Sequence, residues 1–185
     1  EQLTYYQNGG RVAARMEAKD RALATDADFD TWLKRMDRAY ESFLELTGYT
    51  PYRGKQIEMR STREDLNEKF GITDGHNYWE VVFGYYDSTS VFKHSKAFTH
   101  GHMRRLSQND WGDTPMHELS HVFDHPNWNF DSETLAQLKL YYVIEQLNAR
   151  VYRPDRYESK GNGWYSGANY YDLLRNDRYL DSYDA

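Results

Sequence analysis

Asp113-Thr-Pro-Met-His117-Glu118-Leu-Ser-His121-Val-Phe-Asp124 is the stretch on which the reading of this chain turns. Two histidines four residues apart on a helix share one face, with Cβ atoms about 5–6 Å apart. That separation lets both imidazoles reach one tetrahedral metal ion. Glu118 then projects beside the metal, where a bound water would lie. Zinc hydrolases use this spacing, with the glutamate as general base. Seven histidines make an accidental match conceivable, so the surroundings decide.

Those surroundings read as a helix. Thr114 or Asp113 can cap it, and Pro115 suits the first turn because its missing N–H would be unpaired there anyway. Pro126 stops the helix at about His125, after about three turns. Residues 127–131 form a brief turn. A long helix follows from Ser132 to about Val151, N-capped by Asp131, with Leu135, Leu138, Tyr142 and Val143 packing one side.

A zinc hydrolase keeps three protein ligands and leaves the fourth position to water. After His121 the candidates for the third are Asp124, His125, Asp131, Glu133 and Glu145. A metzincin would need glycine and histidine where this chain has Asp124 and Asn127, so that class is excluded. Asp124 shares the histidine face but would have to reach back along the helix. It fits better as a residue orienting a histidine through its free ring N–H, with direct ligation as the alternative. Glu133 begins the next helix, which can fold back antiparallel and present it to the metal, as in gluzincins. The plainer reading of Glu133 is a first-turn acid favoured by the helix dipole. Glu145 lies on the same helix, roughly 120° round from Glu133.

Upstream, Phe29, Trp32, Leu33, Met36, Tyr40, Phe43 and Leu44 make one apolar stripe, a scaffold helix capped by Asp28 or Asp30 and ended by Gly48 and Pro51. Before it, Arg11–Ala24 is Ala-, Arg- and Glu-rich and reads as helix after a polar start with Gly9-Gly10. Lys55–Arg60 and Tyr78–Gly84 read as strands. Thr62–Gly71 reads as a short helix, and a strand or hairpin is expected around Val91–Phe98. His94, His100 and His102 are expected on the surface or in loops. Residues 161–167 read as a loop and Tyr170–Leu180 as a final short helix. The expected fold is α+β in one domain: residues 1–28 an N-terminal extension, 29–110 scaffold helix and sheet, 111–185 the active-site helices and tail.

Charged residues make up 28% and aromatics 16%, a globular composition with 17 tyrosines. A net charge of −6 gives no footprint for nucleic acid. No apolar run is long enough to span a bilayer, and no signal peptide opens the chain. Cysteine is absent, so a metal site must be built from His, Asp and Glu.

The assembly Trp111-Gly-Asp, Met116-His-Glu-Leu-Ser-His-Val-Phe-Asp124, Trp128-Asn-Phe-Asp-Ser-Glu133 and Leu135-Ala-Gln-Leu-Lys-Leu-Tyr-Tyr-Val143 resembles enhancin-like gluzincin peptidases, which include bacterial mucin-degrading enzymes. The Tyr40-Glu-Ser-Phe-Leu-Glu-Leu-Thr-Gly48 helix end resembles the helix those domains carry upstream. The resemblance covers about residues 29–150. It implies a zincin-like domain with one Zn2+ held by His117, His121 and Glu133, and Glu118 as general base. Many such enzymes have glycine where this chain has Ser120, a position facing away from the ligands.

The expected activity is zinc-dependent hydrolysis of peptide bonds in extracellular proteins or glycoproteins, mucin-like ones included, by a monomer secreted from a bacterium. The oxyanion donor is open among Tyr141, Tyr165, Tyr170 and His102. A catalytically silent metal- or glycan-binding module, with Trp79, Trp111 and Trp164 as stacking platforms, is the alternative. A metallohydrolase with a non-peptide substrate is a third.

Overall fold

The computed structural model describes residues 4–7, 10–16, 18–62, 78–82, 96–125, 127–153, 163–167 and 169. In chain order they form β1 (Thr4–Gln7), β2 (Val12–Met16), α1 (Ala18–Arg21), α2 (Asp26–Thr47), β3 (Ile57–Thr62), β4 (Tyr78–Val82), α3 (Lys96–Arg105), α4 (Asp113–His121), α5 (Ser132–Leu147), β5 (Val151–Arg153) and β6 (Gly163–Tyr165). The architecture is α+β, as expected. One mixed sheet has the order β1-β2-β3-β4, and β5 and β6 make a separate ribbon.

The helix expected over Arg11–Ala24 is instead strand β2 followed by the single turn of α1. β2 pairs antiparallel with β1 and parallel with β3, setting Val12 beside Ile57 and Ala14 beside Met59. Val12, Ala14, Met16, Ile57 and Met59 are all fully buried. Alanine favours a helix by less than about 1 kcal/mol per residue. Pairing on both sides together with burial outweighs that. The turn before β2 is fixed by helix α2: Asp37 Oδ1 accepts the Val12 N–H at 2.8 Å, and any Cβ on Gly10 would collide with the Asp37 carboxylate.

Helix α2 has the expected stripe, with Phe29, Trp32, Leu33, Met36, Tyr40 and Phe43 buried and Leu44 partly so. Each full burial contributes about 1.5–3 kcal/mol. Its cap is Thr25, not Asp28 or Asp30: Thr25 Oγ1 accepts the Asp28 N–H at 3.1 Å. Gly48, at φ 63°, closes the other end with its N–H on Leu44 O. Trp32 reaches across the core, its Nε1–H donating to Trp111 O at 3.0 Å, and so ties α2 to the segment entering α4.

The strands expected near Lys55 and Tyr78 are β3 and β4. Lys96–Phe98, expected in a strand or hairpin, opens α3; the rest of that stretch, with His94, lies outside the described residues. The helix expected over Thr62–Gly71 lies outside them too, apart from Thr62 at the end of β3, as does the helix expected over Tyr170–Leu180.

Helix α4 is shorter than expected. It starts after Gly112 (φ 85°), with no side-chain cap from Thr114 or Asp113, and ends at His121. Beyond it the N–H groups of Val122, Phe123 and Asp124 each bond the carbonyl three residues back. This tighter winding turns Phe123 inward onto Tyr40 and Phe43, at ring-centroid distances of 5.0 and 5.4 Å. Helix α5 starts at the expected cap, Asp131, but stops at Leu147, with Asn148 left-handed at φ 46°. Val151 therefore opens β5, and residues 163–165, expected in a loop, pair with it as β6.

The buried face of α5 is Ala136, Lys139, Leu140, Tyr141, Val143 and Ile144. Of the expected Leu135, Leu138, Tyr142 and Val143 only Val143 is fully buried, and Leu138 is 45% exposed. The inward face is rotated by one position, which brings a lysine into it.

Candidate metal centre

The entrance to α4 is held by one carboxylate that the sequence reading passed over. Asp110 is fully buried. Its Oδ1 accepts the N–H of Gly112 at 2.9 Å and of Tyr152 at 3.2 Å. Its Oδ2 accepts Arg105 Nε–H at 2.9 Å and faces His102 Nδ1 at 3.3 Å. Burial alone would raise its pKa, but His102, Arg105 and the Gly112 N–H outweigh that and hold it below the usual carboxylate range.

His102, expected on the surface or as an oxyanion donor, is 1% exposed, its ring edge-on to Trp32. It packs against Gly112, where a Cβ would lie 2.7 Å from His102 Cε1. With φ at 85° and no room for a side chain, Gly112→Ala is expected to destabilise the fold by about 1–3 kcal/mol. Chemical denaturation should show a lower midpoint at unchanged slope. An unchanged midpoint would mean the loop relaxes freely.

Helices α4 and α5 pack antiparallel, so that His117 meets Gln137 and His121 meets Ser132. Ser120 faces α5 and donates to Ala136 O at 2.8 Å. The two rings converge with Glu133 of α5. His117 Nε2 and His121 Nε2 are 3.2 Å apart, His117 Nε2 lies 3.2 Å from Glu133 Oε2, and His121 Nε2 lies 3.3 Å from Glu133 Oε1. His117, His121 and Glu133 are the only group among the described residues whose donor atoms could share one metal ion.

The hydrogen bonds behind the rings fix what faces the centre. Gln137 Oε1 can only accept, so His117 Nδ1, 2.9 Å away, carries a hydrogen, and in the neutral ring Nε2 presents a lone pair. In that tautomer the His117 lone pair faces the His121 ring and the Glu133 carboxylate, an arrangement that positive charge between them would favour. A tetrahedral ion with bonds of about 2.0–2.1 Å sets its donors about 3.3–3.4 Å apart, close to the spacings here. The donor set fits zinc.

The local electrostatics favour a cation in the same way. Burial lowers the pKa of His117, but the bond to Glu133 and the charges of Glu118 and Asp113 reverse this, and the net direction is up. Glu133 is held below its ordinary value, first by the His117 bond. Asp124 is likewise low: burial opposes ionisation, and His121, Lys139 and Ser132 overcome it.

Among the other ligand candidates, Asp124 Oδ2 lies 3.5 Å from Nδ1 of His121, on the far side of the ring from the converging atoms. His125 packs between Tyr49 and Trp128, Asp131 caps α5, and Glu145 is near the other end of that helix. Glu118 directs its side chain into the interior and is 5% exposed. Tyr141 is a core residue two turns beyond Glu133. Tyr165 belongs to β6, and nearby Gly167 rests on the backbone of Ile144 and Glu145, a helical rise of roughly 18 Å from Glu133. Tyr170 lies outside the described residues.

The stacking platforms fare poorly. Trp111 is buried, and the Trp164 ring is covered by the Arg150 guanidinium at 3.9 Å and flanked by Tyr152. Trp79 is in β4, with its side chain outside the description.

Compared with protein-family models, curated proteins and solved structures, the chain matches none of them. What it does chemically must be argued from this site. Gln137, Ser132 and Lys139 are the supporting residues that the sequence reading missed. Gln137 was within reach, since it lies four residues from Glu133 and so shares its face.

Proposed function

We propose that this chain is a zinc-dependent endopeptidase of the gluzincin type, with a zincin-like catalytic domain. One observation carries the proposal: His117, His121 and Glu133 bring three ligand-type side chains together at 3.2–3.3 Å, with the buried Glu118 on the helix of the two histidines. His117, His121 and Glu133 would hold the ion. Zinc in a three-ligand site supplies Lewis acidity, which activates water near neutral pH and polarises a carbonyl.

The chain's own residues do the rest. Gln137 and Ser132 hold the two imidazoles with their Nε2 atoms toward the centre. Glu118 takes the proton of the attacking water and passes it to the leaving amine. Its burial keeps bulk water from competing for that proton. β4 is one of the two edge strands of the four-stranded sheet among the described residues and lies near α4, so the edge it turns away from β3 suits an extended peptide held by main-chain hydrogen bonds. No helix among the described residues is long and apolar enough to cross a membrane. The substrates proposed are extracellular proteins or glycoproteins, mucin-like ones included, met after secretion.

A panel of unfolded proteins and O-glycosylated mucin tests this. Cleavage is expected to vanish after chelation and to return with one equivalent of zinc, together with a rise in melting temperature on zinc addition. Zinc uptake with no cleavage of any panel member would overturn the peptidase assignment in favour of a silent metal site.

A further inference from the structure

A chain of hydrogen bonds runs from the interior to the back of His121. Lys139 is 4% exposed, and its Nζ donates to Ser120 O at 2.6 Å and to Asp124 Oδ1 at 2.5 Å. The other oxygen, Asp124 Oδ2, accepts the Ser132 hydroxyl at 2.9 Å. Ser132 Oγ lies 3.1 Å from His121 Nδ1. An ammonium only donates and a carboxylate only accepts, so the polarity is set at the lysine end. Ser132 commits its single hydroxyl hydrogen to Asp124 and has only lone pairs left for His121.

We propose that Lys139, through Asp124 and Ser132, fixes His121 as the Nδ1–H tautomer and so keeps its Nε2 lone pair available to a divalent cation. Lys139 is in this sense a positioning residue. The consequence for zinc rests on the metallopeptidase reading above; the tautomer is a property of the metal-free chain.

The directionality separates this role from packing. Asp124→Asn keeps the shape but replaces one acceptor with a donor. With the Lys139 ammonium on one side, the new amide must turn its oxygen to the lysine and its N–H to Ser132. Ser132 then accepts from the amide and donates to His121 Nδ1. The ring hydrogen moves to Nε2, where it blocks the face shared with His117 and Glu133. In Asp124→Asn combined with Lys139→Met, the amide is free to turn over and accept from Ser132 again, and the original tautomer returns.

Nitrogen-resolved NMR of the imidazoles in the metal-free protein, at a pH where the rings are neutral, reads the tautomer directly. Zinc affinity on the same samples is read by competition with a chromophoric chelator. Wild-type His121 is expected to carry its hydrogen on Nδ1. Asp124→Asn is expected to move it to Nε2 and to weaken zinc binding about 10–100-fold. The double variant is expected to restore Nδ1–H and most of the affinity, a rescue that loss of a merely structural lysine would not give. Hydrogen on Nε2 of His121 in the wild type, a result needing no variant, would overturn the proposal. So would an Asp124→Asn ring that stays Nδ1–H, or a double variant that stays Nε2–H. A wild type with Nδ1–H that takes up no zinc would leave the relay standing and overturn the metal reading instead.

Discussion

Glu118→Ala is expected to abolish peptide hydrolysis while leaving bound zinc in place. The two effects separate because Glu118 is not among the three groups that converge on the proposed metal position; it follows His117 on α4 and is buried. Loss of a positioned general base costs about 10²–10⁴-fold in rate. The fall should appear in kcat, since the substitution removes a proton acceptor used in the transition state. Zinc content measured on the same preparation should match that of the wild type. Retained cleavage would remove Glu118 from the mechanism. Loss of zinc along with cleavage would assign it to the metal instead.

Glu133→Ala is expected to have the largest effect on metal retention, well beyond the effect of Asp124→Ala. Glu133 supplies oxygens 3.2 and 3.3 Å from the two Nε2 atoms, whereas Asp124 meets His121 at Nδ1, behind the ring. Removing an orienting partner costs about 10–100-fold in metal affinity. Removing one of the three proposed ligands should exceed that, and a chelator titration of both variants gives the ranking. The reverse order would move the third ligand to Asp124.

Much of this site is legible in the sequence because its logic is local. The four-residue spacing of His117 and His121 and the short link to an Asp131-capped helix are enough to bring Glu133 within reach of both rings. What is not legible depends on contacts distant in the chain. Val12–Met16 has helix-forming composition, and its pairing with Thr4–Gln7 on one side and Ile57–Arg60 on the other makes it a strand. His102 looks like a loop histidine until Trp32, seventy residues earlier, and Asp110 enclose it. The inward face of α5 was misplaced by one position because it carries a lysine. Lys139 is tolerated there only because Asp124 and the Ser120 carbonyl receive its hydrogens, and neither partner lies on its own helix. A charge repeating in phase with Ala136, Leu140 and Val143 was the available signal, and it marks support for the site rather than solvent.

Zinc titration of the metal-free wild type, followed by X-ray absorption at the zinc edge, tests the central claim most directly. The expected result is one tightly bound ion per chain, with two imidazole nitrogens and carboxylate oxygen at about 2.0–2.2 Å, and no such binding in His117→Ala or His121→Ala. A wild type that takes up no zinc, or an ion whose shell contains no histidine, would contradict it.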